Sequence, residues 1–162
     1  MPTVIGVFDD QSQAERAVNE IREAGVTDEE ISIAAREDRI KADEGDEGGT
    51  GAFLNQDVTT GATTGGALGG LAGLMAGAGA LAIPGIGPIL AAGPIAAGLS
   101  GVAAGGLAGS LVDLGIPQDR GEYYENEVGK GSILAVVETD QRKINDVASF
   151  MRRNGARDVE TH

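Results

Sequence analysis

The chain opens on a continuous apolar run, Val4 to Phe8, and then switches to a spaced pattern in which Ala14, Ala17, Val18, Ile21 and Ala24 recur along one helical face. A strand followed by a helix over Gln11 to Ala24 is predicted. Gly25 closes the helix, because glycine takes up the left-handed conformation of a helix C-terminus without steric cost. After a turn containing Asp28, Ile31 to Ala35 reads as a second strand. The same order returns 130 residues later: a strand at Leu134 to Val137, a helical face of Ile144, Val147, Ala148 and Met151, a capping Gly155, and a last strand at Arg157 to Thr161. At that offset Val7 matches Val137, Asp10 matches Asp140, Gln11 matches Gln141, Ala14 matches Ile144, Ala17 matches Val147, Gly25 matches Gly155 and Asp28 matches Asp158. Two copies of one β-α-β unit therefore stand at the chain ends. A two-stranded unit is marginal alone, so residues 1–36 and 132–162 are expected to meet as halves of one α+β domain. The expected form is a four-stranded antiparallel sheet with both helices on one face, the ferredoxin-like arrangement.

Between the halves the pattern changes twice. Residues 37–57 are acidic and glycine-rich and read as a linker. From Val58 to Val112 there follow 55 positions without a charge, dominated by Gly and Ala and broken by Pro84, Gly85, Gly87 and Pro88. That punctuation predicts a helical hairpin over residues 58–114, with helices at Gly61 to Ala82 and Ile89 to Leu114, and then a connecting helix within residues 115–131. Gly61, Gly65, Gly69, Gly73 and Gly77 recur every fourth residue in the first arm; Gly93, Ala97, Gly101, Gly105 and Gly109 do so in the second. An interior helical glycine costs about 1 kcal/mol relative to alanine, so such a ladder is expected where close backbone packing returns the energy. Further small residues, Gly66 and Gly70 in one arm and Gly98 and Gly106 in the other, offer contacts to more than one neighbour, while Leu71 and Leu107 are expected to face away from the packed stripe.

Charge narrows the partners. With 12 Lys+Arg against 25 Asp+Glu the net charge is −13, and the clustered cations that bind phosphate backbones are missing, which excludes nucleic acid as an expected partner. The absence of cysteine removes disulfides, thiolate nucleophiles and zinc-thiolate sites. No basic segment followed by an apolar stretch opens the chain, so a cytoplasmic location is expected. The zippered hairpin then has two candidate partners: further copies of the chain, giving a homo-oligomer, or a lipid bilayer, since each arm reaches the ~20 residues that span one. Asp57 and Asp113 flank the uncharged run, and Lys41 and Arg120 are the nearest cations; these are poor flanks for insertion. Either partner leaves both termini on the cytoplasmic side.

Candidate chemistry is sparse. Gly77 to Ala82 matches the letters of a dinucleotide-binding fingerprint but is expected inside a helix, without the strand that should precede it. Asp43, Glu44, Asp46 and Glu47 could face a calcium ion, yet the ligand order of a helix-loop-helix site is missing, and a solvated loop accounts for them. His162, the one histidine, has no Ser or Cys in a catalytic pattern. Tyr123 and Tyr124 fall in the helix predicted from Pro117 to Val128, one expected to pack and the other to stand half exposed. No catalytic, cofactor-binding or metal-ligating residue is assigned, and the chain is read as a non-enzyme.

Several segments in order carry a resemblance: Val4-Ile5-Gly6-Val7-Phe8-Asp9, the helix with Ala14 and Ala17 ending at Gly25, Ile31-Ser32-Ile33-Ala34-Ala35, the zipper, Leu114-Gly115-Ile116-Pro117, Glu122-Tyr123-Tyr124-Glu125 and Val128-Gly129-Lys130-Gly131. Over most of its length the chain resembles the bacterial general stress proteins of the YflT type, in their glycine-zipper-containing form. The resemblance implies a bacterial, stress-associated protein of the cytoplasm or cell envelope with no established enzymatic activity, and it supplies no catalytic residues.

Overall fold

The structure is a computed structural model that describes residues 1–42, 79–83, 85–101 and 106–162. Six strands form one sheet: β1 (Thr3–Phe8), β2 (Ile31–Arg36), β3 (Gly79–Ile83), β4 (Gly87–Ala92), β5 (Ile133–Glu138) and β6 (Arg157–Thr161). Their order is β3-β4-β2-β5-β1-β6, and every pairing is antiparallel. The chain ends interleave, because β5 from the second half lies between β2 and β1 of the first. Ile5 stands opposite Val136, and Ile33 opposite Ala135.

Helix α1 (Gln11–Glu23) begins where the Asp10 carboxylate accepts from the Ser12 amide at 3.0 Å, a cap of a kind that contributes about 1 kcal/mol. It ends at Gly25, φ 84°, and α6 (Ile144–Arg153) ends in the same way at Gly155, φ 95°. Ala14, Ala17, Val18 and Ile21 of α1 and Ile144, Val147, Ala148 and Met151 of α6 bury against one face of the sheet, meeting Val4, Phe8, Ile33, Ala35, Ala135 and Val137. The approach of α6 to β1 is close: a Cβ on Gly6 would lie 3.1 Å from the Met151 sulfur.

The second face is covered too. Helices α3 (Pro94–Gly101), α4 (Gly106–Asp113) and α5 (Gln118–Gly129) bury Ile95, Leu107, Leu111, Tyr124 and Val128 against Ile5, Val7, Ile89, Leu134 and Val136. Among the described residues, helices thus cover both faces of the central strands. Burial on both sides explains why β1 and β5 read as unbroken apolar runs rather than as alternating strands.

The described residues between 37 and 114 depart most from the sequence reading. The stretch expected to start as linker begins with a short helix, α2 (Glu37–Ala42). Of the helix expected from Gly61 to Ala82, residues 61–78 lie outside the described residues and Gly79 to Ala82 belong to β3; where the helix from Ile89 to Leu114 was expected to begin, β4 instead pairs with β3 as a hairpin on the edge of β2, and among the described residues helix follows as the segments α3 and α4. A short apolar run fits a buried strand as well as a buried helix, and here the ladder of β2 from Ile33 to Arg36 selects the strand by pairing with Ile89 to Ala92. Gly85 and Gly87, at φ 87° and 95°, form the turn. Pro88 lies just outside the β2-paired stretch and so removes no donor from that ladder.

Of the nine zipper glycines, Gly61, Gly65, Gly69, Gly73, Gly77 and Gly105 lie outside the described residues. Gly93 is not helical; at φ 80° it turns the chain from β4 into α3 so tightly that a Cβ would collide with the Ile31 carbonyl. Gly101 ends α3 and Gly109 is half-buried within α4. Leu107, expected to face away from the packed side, is fully buried, since α4 lies on the sheet. Close packing of small residues does occur, at neighbouring positions. A Cβ on Gly98 of α3 would sit 3.3 Å from the Ser110 side chain of α4, and one on Gly121 of α5 would sit 3.0 Å from the Ala108 carbonyl oxygen.

Candidate functional site

Among the described residues, the densest set of interacting polar and aromatic side chains joins α5 to the edge strand β6. A β-bulge positions it. From Ile5 to Val7 on β1 the opposite residues step from Glu160 to Arg157, so β6 carries one extra residue. Asp158 sits there at φ 50°, a left-handed conformation that Asp tolerates better than most residues. The bulge turns successive β6 side chains toward α5, whose Arg120, Tyr123, Tyr124 and Glu127 share one helical face.

Tyr123 Oη donates to Asp158 Oδ2 at 2.5 Å, and Tyr124 Oη donates to the Asp158 carbonyl at 3.1 Å. The Arg120 guanidinium pairs with Glu160, with Nε to Oε2 at 3.0 Å, and also donates to Tyr124 Oη at 3.3 Å. It stacks 4.6 Å from the Tyr123 ring centre and 5.1 Å from that of Tyr124, while the two rings meet edge to face at 5.4 Å. Such cation-ring contacts contribute about 0.5–1 kcal/mol when exposed. Arg157 grips Asp9 at the end of β1 through two bonds, 2.9 and 2.5 Å, and reaches Glu127 Oε2 at 3.2 Å and Ser132 Oγ at 3.4 Å. Glu127 also accepts from Lys130 at 2.8 Å, and His162 Nε2 lies 3.2 Å from Glu160.

These contacts set the ionisation of the cluster. The bond from Lys130, with Arg157 beside it, holds the Glu127 carboxyl below its ordinary value against the opposing pull of burial. Burial pushes Glu160 up, but the bonds and charge of Arg120, with His162 and Tyr124, outweigh it and leave the carboxyl lowered. The bond to Asp158 raises the Tyr123 phenol, and desolvation raises that of Tyr124 well above its ordinary value. At neutral pH both phenols therefore stay protonated and donate, and both carboxylates stay charged and accept. Each group in the cluster is matched to another, an arrangement suited to clasping a strand rather than to proton transfer.

A pH dependence follows. A carboxyl whose folded pKa is depressed contributes stability above its unfolded value, near 4.5 for Glu127, and loses it as pH falls through the folded value. Acid also relieves repulsion in a chain of net charge −13, so the useful quantity is the stability difference between wild type and Glu127→Gln. That difference is expected to be constant above about pH 6 and to shrink steadily below about pH 4.5 in chemical denaturation series; a difference independent of pH would contradict the assignment.

The sequence reading placed the tyrosines correctly. Tyr124 is fully buried on the sheet and Tyr123 is half-buried. It did not foresee their shared partner across the chain, Asp158, nor the pairing of Arg120 with Glu160 and of Arg157 with Asp9 beside them. The shared face of Arg120, Tyr123, Tyr124 and Glu127 was the available cue. Gly79 to Ala82 of the dinucleotide-like letters belong to β3 rather than to the helix expected there, so the strand does not precede its glycines. The acidic residues 43–47 lie outside the described ones, and among the described residues no three potential ligands gather as a metal site. Among the described residues, no helix is long and apolar enough to cross a membrane. Comparison with protein-family profiles, with curated proteins and with solved structures finds no match to this chain.

Proposed function

We propose that this chain is a non-enzymatic general stress-response protein of the YflT type, a ferredoxin-like body that associates with further copies of itself through its Gly/Ala-rich segment. The order β2-β5-β1-β6, with α1 and α6 on one face, supports the ferredoxin-like reading of the two chain ends. One observation carries the association reading: at Gly98 against Ser110 and at Gly121 against Ala108, this chain already uses small residues to bring elements together at near-backbone distance. The ladder Gly61, Gly65, Gly69, Gly73 and Gly77 repeats the same device in sequence at the spacing that suits helix-helix approach. The mutual pairing of the charged residues along α5 and β6 supports a structural rather than a catalytic role for that seam. A cytoplasmic placement accompanies this reading.

Sedimentation of the purified chain without detergent tests it. The wild type is expected to run as a multimer, and Gly69→Leu to yield smaller particles or insoluble protein, since overpacking costs about 1–3 kcal/mol per site and recurs at each copy of a symmetric contact. A monomeric wild type, or a Gly69→Leu profile identical to that of wild type, would refute association through the ladder. Recovery of the protein only in detergent would instead support the bilayer as its partner.

A further inference from the structure

Of the strands whose burial is described throughout, β1, β2, β4, β5 and β6, the last is held least by apolar burial. From Arg157 to Thr161 its residues are exposed, exposed, half-buried, half-buried and exposed, and only Val159 packs against the core beneath it. Among the described residues it pairs with β1 alone, across a ladder broken by the bulge at Asp158. What fastens it is polar and reaches over from α5 and the end of β1: Arg120 on Glu160, Tyr123 on the Asp158 carboxylate, Tyr124 on the Asp158 carbonyl, and Asp9 with Glu127 on Arg157. By contrast β5 buries Ile133 to Val137 on both faces.

We infer that β6 is a latch strand, detaching from β1 as a unit while the rest of the sheet stays folded, with the α5 clasp setting how often it opens. Detachment exposes little apolar surface, so its free energy lies below that of global unfolding. Among its ties the Arg157–Asp9 ion pair is open to solvent, with the two side chains exposed by 42% and 59%, and such a tie weakens with salt. Opening bares the outer edge of β1, a row of unpaired backbone donors and acceptors that suits an added extended strand. The latch is independent of association through the glycine ladder, and the two ideas fail in different experiments.

Backbone geometry provides the test within one strand. Thr3 N–H donates to the His162 carbonyl and His162 N–H to the Thr3 carbonyl, both at 2.8 Å. The alternation of an antiparallel ladder therefore turns the Thr3 and Ile5 amides toward β6, and the Val4 and Gly6 amides toward β5. In native-state hydrogen exchange of the full chain, Ile5 is expected to exchange about tenfold or more faster than Gly6, with the gap widening as NaCl is added. Arg120→Ala and Tyr123→Phe should each speed exchange at Ile5 by about five- to tenfold and leave Gly6 unchanged, which also reports that the variant is folded. Ile5 and Gly6 exchanging together in wild type at low and high salt would overturn the latch. A gap insensitive to salt and to both variants would reduce β6 to a frayed edge and overturn the clasp.

Discussion

Removal of residues 132–162 is expected to leave a chain without a cooperative unfolding transition and with a collapsed amide NMR spectrum. Strand β5 is the shared neighbour of β1 and β2, which do not touch each other, so its loss strands both. The deletion also removes Ile133, Ala135 and Val137 from one core, Leu134 and Val136 from the other, and the Val147 and Met151 contacts beneath β1. At about 1.5–3 kcal/mol for each large apolar side chain returned to water, the loss exceeds the 5–15 kcal/mol by which a domain is ordinarily stable. A truncated chain that still melts in one sharp step, with dispersed amide resonances, would contradict the interleaved sheet.

The largest single-residue effect is expected at Tyr124, the bulkiest of the fully buried side chains. Its ring fills the space between α5 and the second sheet face, and its hydroxyl joins Arg120 to the Asp158 carbonyl. Tyr124→Ala should cost about 3–5 kcal/mol in denaturant titration, through the cavity left behind. Tyr124→Phe should cost about 0.5–1.5 kcal/mol, because the packing survives and one hydrogen-bonding group is lost. Equal costs for the two variants would mean that the ring is not packed as described.

What could be read in advance follows from periodicity. The faces of α1 and α6, both capping glycines, Pro117 ahead of α5 and the four strands β1, β2, β5 and β6 were legible, because apolar spacing and glycine placement are local signals. The hairpin of β3 and β4 was not. Ala80 to Ala92 is uncharged throughout and carries neither a two-residue nor a helical polar alternation, so the choice between strand and helix fell to β2, an element more than forty residues away. The role of Gly93 was hidden for a related reason: its spacing from Ala97 and Gly101 imitates a helical ladder, while its actual constraint is the Ile31 backbone. Coverage of the second sheet face was readable in principle, since Val4 to Phe8 and Ile133 to Val137 contain no polar position at all. The clasp was out of reach, because pairs such as Asp9 with Arg157 and Arg120 with Glu160 become neighbours only after the two ends have interleaved.

That interleaving is the centre of the account, and backbone proton contacts in the intact protein test it most directly. In the ladder register, Ile5 faces Val136 and Ile33 faces Ala135 as closely spaced pairs without mutual hydrogen bonds, the kind whose Cα atoms lie about 4.5 Å apart. Strong nuclear Overhauser effects are therefore expected between the Hα protons of Ile5 and Val136 and between those of Ile33 and Ala135, placing β5 between β1 and β2 in solution. Absence of both, or Hα contacts directly between β1 and β2, would contradict the fold.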